Sequence, residues 1–125
     1  MKKLMFLIDV YNNEAKPVEA DGLDDYYELI GCDLIDIVNR AVGNRRYAII
    51  ADDEGLLKAN PKISAIDNFG FAMLVGNLLI ANDDIENGEL KSLDVSDIVY
   101  LKERVIEFST KNHPEPYGML TQVEY

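Results

Sequence analysis

Tryptophan is absent, cysteine and histidine occur once each, and 12 Lys and Arg face 23 Asp and Glu, for a formal net charge of -11. Each shortage excludes something. With Cys32 alone there is no intramolecular disulfide and no cysteine-cluster zinc site. The deficit of basic residues excludes a nucleic-acid binder that works by neutralising phosphates, and it excludes an anionic membrane surface as partner. No apolar run approaches the roughly 20 residues of a membrane span. The longest opening run, Leu4-Met5-Phe6-Leu7-Ile8 behind Lys2-Lys3, stops at Asp9 without a small-residue cleavage site, so the sequence predicts no signal peptide and a cytoplasmic location. What is present suffices for a core: 125 residues, 48% hydrophobic, are one domain's worth and need no covalent staples.

Strand signals dominate the first half. Leu4 to Val10 is β-friendly, Tyr11-Asn12-Asn13 has turn composition, and Ala15 to Ala20 pairs back as an edge strand, because Pro17 has no N–H to give a ladder. Asp24 to Ile30 reads as a short helix, with carboxylates at its positive end and Gly31 as its stop. Residues 33–42 carry both periods; Gly43-Asn44 beyond them is a two-residue hairpin signal, which selects strand and pairs it with Tyr47 to Ala51. Ile63 to Ile66 reads as a connector or one helical turn. Phe71 to Ala81 is a single apolar stretch interrupted at Gly76-Asn77, where a bulge or close backbone approach is expected. From Asp94 the period changes: Ile98, Leu101, Val105 and Phe108 fall on one face of a helix expected to run to Thr110, capped by Asp94 or Ser96. The expected architecture is α+β. It has a mostly antiparallel sheet of about five strands, a short N-terminal helix, and a longer C-terminal helix packed on one face. Residues 1–110 form the domain, and 111–125, with Pro114, Pro116 and Gly118, form an arm or tail.

No catalytic set assembles in the sequence. His113 lies in a proline-flanked segment that cannot hold an imidazole rigidly beside a nucleophile, and Cys32 follows a helix C-terminus, the wrong end for a thiolate. Asp52-Asp53-Glu54 and the acidic loop Asp83, Asp84, Glu86, Glu89 offer oxygens for a hard cation. Counted as a calcium loop from Asp83, Gly88 is in place, but Ile85 gives no side-chain oxygen and Asp94 stands where a longer Glu closes the site. No metal and no cofactor is therefore expected, and there is no glycine-rich phosphate loop. The candidate ligand contacts are Arg45 and Arg46 as an anion clamp, with Tyr26 or Tyr27 as a stacking face.

Leu23-Asp24-Asp25-Tyr26-Tyr27-Glu28-Leu29-Ile30-Gly31, Asp36-Ile37-Val38, Asp53-Glu54-Gly55-Leu56-Leu57, Leu74-Val75-Gly76-Asn77-Leu78-Leu79-Ile80, and Leu90 with Ser92-Leu93 together resemble a small domain family of unknown function found in bacteria, their phages and mobile elements. The resemblance spans roughly residues 1–105, and its more specific parts are the Asp53–Leu57 turn and the Val75-Gly76 element. Cys32 replaces a second glycine that many relatives carry after Gly31. The resemblance implies one compact domain in a bacterial or phage cytoplasm and carries no activity with it.

The leading expectation is a non-enzymatic accessory module that binds a protein partner or its own copy. A small-ligand or nucleotide-binding domain built on Arg45, Arg46, Tyr26 and Tyr27 is the alternative. An acidic DNA mimic or anti-defence protein comes third, and a metal-assisted enzyme using Asp52, Asp53 and Glu54 last.

Overall fold

The computed structural model describes residues 2–58, 61–84, 89–109, 111 and 114–125. Ile85, Glu86, Gly88, Thr110 and His113, each named above, lie outside the described residues. The chain runs β1 (Lys3–Asp9), β2 (Glu14–Ala20), α1 (Leu23–Ile30), β3 (Ile35–Val42), β4 (Arg45–Asp52), a 3₁₀ turn (Gly55–Leu57), β5 (Ile63–Ile66) and β6 (Ala72–Val75). It continues through β7 (Leu78–Asp84), β8 (Glu89–Lys91), α2 (Val95–Lys102), β9 (Val105–Phe108), β10 (Tyr117–Leu120) and β11 (Val123–Glu124). The large sheet has the order β11-β3-β4-β7-β1-β2, with β8 pairing β7, and a second sheet has the order β6-β5-β10-β9.

Alternation along the strands creates two apolar faces on the large sheet. Phe6, Ile8, Tyr47, Ile49, Leu78 and Ile80 face the small sheet and α2, together with Leu101, Tyr117, Met119 and Leu120. Met5, Leu7, Ile50, Leu79 and Ala81 face the other way and are covered by Tyr26 and Ile30 of α1. The α1 helix stops where Gly31 turns left-handed at φ 80° and its N–H returns to the Tyr27 carbonyl.

The early elements form as the sequence predicts. Pro17 sits opposite Phe6 on the outermost strand, β2, and of residues 33–42 the segment Ile35–Val42 enters the hairpin as strand. The expected architecture does not hold: the described residues form a mostly β structure, eleven strands in two sheets with two short helices. A sheet of about five strands under a long C-terminal helix is overturned. The physical reason lies in residues 94–108, where helical and alternating periods coincide over a short stretch. The helix ends at Lys102. Val105-Ile106-Glu107-Phe108, rich in β-branched and aromatic side chains, then pairs with β10 in full register. Ile63 to Ile66 is likewise a strand, paired antiparallel with β6 on one side and joined to β10 on the other by a parallel contact, Ala65 to Leu120, across a long sequence gap. Phe71 to Ala81 splits at Gly76, φ 83°, into β6 of the small sheet and β7 of the large one. The C-terminal stretch supplies β10 and β11 and buries Tyr117, Met119, Leu120 and Val123. No helix among the described residues is long and apolar enough to cross a membrane.

Candidate functional site

A cleft of about 390 Å³ opens where the far end of the β3–β4 hairpin meets β6, at the rim between the two sheets. Asp36 and Val38, two apart on β3, present their side chains to it, and Met73, Leu74 and Val75 line the opposite wall. The floor and lip are Ala51 and the turn Asp52 to Leu57. That turn is built by the Asp52 side chain, whose Oδ1 accepts the Glu54 N–H at 2.9 Å. It lies so close to β6 that a Cβ on Gly55 would stand 3.0 Å from the Val75 carbonyl oxygen, so only glycine fits without a shift. Beyond Gly55 the chain displays Leu56 and Leu57 at 74% and 79% exposure. The Asp53–Leu57 turn and Val75, two separated segments of sequence, thus make one surface.

Charge at the site is one-sided. Asp52 is buried and pairs with Lys58 at 2.9 Å, and Lys58 also donates to the Gly31 carbonyl at 2.6 Å, tying the end of α1 to the end of β4. The hydrogen bond to Asp52 raises the Lys58 pKa against the opposing cost of its burial. Behind Asp52 a second cleft of about 210 Å³ is lined by Gly31, Cys32, Asp33, Leu34, Glu54, Leu57 and Lys58. Burial, followed by the Asp52 charge, pushes the Cys32 thiol above its usual range, so it is not a poised thiolate. Asp36, Asp53 and Glu54 are exposed, and no ion pair engages them among the described residues. Nor do any three His, Cys, Asp or Glu of the described residues converge as a metal site would require. The arrangement offers apolar contact and uncompensated negative charge.

Both strands beside the cleft are at sheet edges. Among the described residues β6 pairs only with β5, and β11 covers β3 at Ala41 and Val42 alone. The antiparallel ladder fixes which backbone groups point outward. Asp53 N–H donates to the Leu34 carbonyl across β3–β4, and Gly43 N–H donates to the Gln122 carbonyl on the outer side. By alternation Leu34, Asp36, Val38 and Arg40 bond inward to β4, while Ile35, Ile37 and Asn39 present N–H and C=O outward. At Asn39 the edge is guarded: its carbonyl accepts from Arg40 Nη1 at 2.9 Å, and the Arg40 guanidinium lies 4.4 Å from the Tyr125 ring centroid. Ile35 and Ile37 have no strand against them among the described residues.

The residues proposed as ligand contacts lie elsewhere. Arg45 projects toward α2, where it pairs with Asp97 at 3.2 Å and stacks on Tyr100 at 4.4 Å. Arg46 donates to Asn39 Oδ1 at 2.7 Å and to the Tyr125 carbonyl at 3.2 Å. Tyr26 is buried beneath α1, and Tyr27 is half-buried. Neither cleft is lined by any of the four. In the sequence, Asp52, Asp53 and Glu54 suggest a metal site, and Leu56 and Leu57 stand out only as part of the Asp53–Leu57 turn of the family resemblance, without a binding role. Two leucines directly after an acidic Gly-containing turn were the available signal.

The sequence profile of a family described as a domain of unknown function (DUF3846) matches residues 1–106, and the chain belongs to that family. No curated protein and no solved structure matches the chain.

Proposed function

For this member of a family of unknown function, we propose a non-enzymatic interaction module that holds a protein partner at the cleft between β3 and β6. The observation carrying the reading is the pairing of an apolar cleft with exposed Leu56 and Leu57 at its lip. Large apolar side chains grouped beside a concave surface are what a partner buries. An anionic small ligand such as a nucleotide would meet Asp36, Asp53 and Glu54 there, and like charge opposes it.

Site-specific photocrosslinking in cells that naturally make the protein tests the reading. Benzoylphenylalanine placed at Leu56 is expected to capture a second protein, and at Glu28, exposed on α1, to capture none. No adduct from position 56, or equal adducts from both, overturns it.

A further inference from the structure

We propose that the occupant of the cleft is an extended, cationic segment of another protein that adds to the open edge of β3 as a further antiparallel strand. This rests on the cleft being the binding site. It goes further in naming how the partner is held and what its chemistry is.

The backbone supplies the first half. Among the described residues Ile35 and Ile37 present N–H and C=O outward with no strand beside them, and β11 already pairs antiparallel to the same edge two residues beyond Asn39. A strand arriving there would continue the line of β11 toward Asp36, with β6 across the cleft. Main-chain hydrogen bonds of this kind give affinity, and alternate side chains give specificity.

The side chains supply the second half. In a strand paired to Ile37, the residue opposite Ile37 lies on the sheet's other face, beside that half-exposed isoleucine. Its two neighbours point into the cleft. Running antiparallel, the earlier one meets Val38, Met73 and Leu74, and the later one meets Asp36, Asp53 and Glu54. The pattern that fits is apolar, apolar, then Lys or Arg. A second copy of this chain does not fit: its own β3 edge would bring Asp36 and the Asp52–Glu54 turn against their equals, within a protein of net charge -11.

The test pans a short random-peptide display library on the full chain. Binders are expected to carry Lys or Arg after an apolar pair. Ile37→Pro removes one outward N–H and leaves the ladder to β4 intact, so it is expected to weaken binding about tenfold. Should that variant not fold, N-methylation scanned along the selected peptide reads the same hydrogen bonds from the other side, with loss at every second residue. The inference falls if no binder emerges at about 100 µM. It falls equally if the binders lack cationic residues, or if neither Ile37→Pro nor N-methylation affects them. Crosslinks from position 56 accompanied by such results would leave the interaction module standing and remove only the strand-addition mechanism.

Discussion

The two ends of the β3–β4 hairpin are made of the same strands and treated in opposite ways. At the turn end the polar side chains are tied into hydrogen bonds and ring contacts, and among the described residues the buried Arg104 Nε is left without a hydrogen-bond partner. The Tyr100 hydroxyl donates to the Val42 carbonyl at 2.7 Å and accepts the Asn44 N–H at 2.8 Å, clasping the Gly43-Asn44 turn. The guanidinium groups of Arg45 and Arg104 both stack on its ring, 4.4 Å and 3.5 Å from the centroid. Below it the buried Asp97 carboxylate accepts from Arg45, the Tyr47 hydroxyl, Asn82 and the Asp94 N–H. At the cleft end, among the described residues, three carboxylates have no cation, two leucines are exposed, and backbone groups of β3 have no strand beside them. Charge that is fully paired holds the fold together, and charge that is left unpaired is available to something else. Breaking residues at the two ends should therefore give opposite profiles: large stability losses at the turn, small ones at the cleft.

The largest loss is expected from Asp97→Ala. It leaves the Tyr47 hydroxyl without its acceptor in the core and opens the capping box of α2, in which Asp94 and Asp97 exchange backbone hydrogen bonds. Removing one partner of a buried hydrogen-bonded network costs about 3 kcal/mol, discounted here because Arg45 is 42% exposed at the side chain. Urea denaturation followed by circular dichroism measures it, and a midpoint unchanged from wild type contradicts the role given to Asp97. Gly43→Ala comes next at about 2 kcal/mol, since a side chain at φ 61° is strained and its Cβ would collide with the Tyr100 hydroxyl. A Gly43→Ala protein as stable as wild type would show that the Tyr100 clasp is dispensable.

The turn end was largely legible in the sequence and the cleft was not. Gly43-Asn44, Tyr47 to Ala51 and the Asp94 cap follow local rules, because a two-residue hairpin and a helix start are decided within a few residues. As adjacent cations in the sequence, Arg45 and Arg46 suggest a single anion clamp. What the sequence hides is that adjacent residues on a strand point to opposite faces, so one meets Asp97 and the other Asn39. The cleft needs β6 to lie beside β3, and that placement depends on β5 joining β10 in parallel across more than fifty residues of chain. No local pattern announces such a contact. Yet the Asp53–Leu57 turn and Val75, from the more specific parts of the family resemblance, meet at that cleft, so part of the site was present in the sequence as two unconnected pieces.

Tyr47→Phe sharpens the comparison through pH. Burial, and then the hydrogen bond to Asp97, hold the Tyr47 phenol neutral and raise its pKa well above the usual tyrosine value. A raised folded pKa means the stabilisation is complete below the unfolded value of about 10 and is lost as pH rises from there through the folded value. The wild type is therefore expected to weaken in alkali. Lys58, also raised, contributes to the same loss, so the diagnostic is the difference between the two proteins. The phenylalanine variant should be less stable by about 1 kcal/mol at neutral pH and should lose stability less steeply above about pH 10. Parallel curves for the two proteins would remove Tyr47 as a source of the alkaline slope.

The smallest stability effect is expected at the cleft, from Leu57→Ser. The side chain is 79% exposed, so its removal gives up little buried surface, and the change should stay within about 0.5 kcal/mol. Truncating Leu57 leaves the Asp52–Glu54 hydrogen bond and the Lys58 ion pair in place, because neither uses that side chain. If the lip exists for a partner, the same variant should nevertheless reduce capture by a crosslinker at position 56 to a small fraction of the wild-type yield. A variant that melts like the wild type and binds unlike it separates the two ends of the hairpin by function. One that loses several kcal/mol would instead make Leu57 part of the fold's own packing, and the contrast between the two ends would collapse.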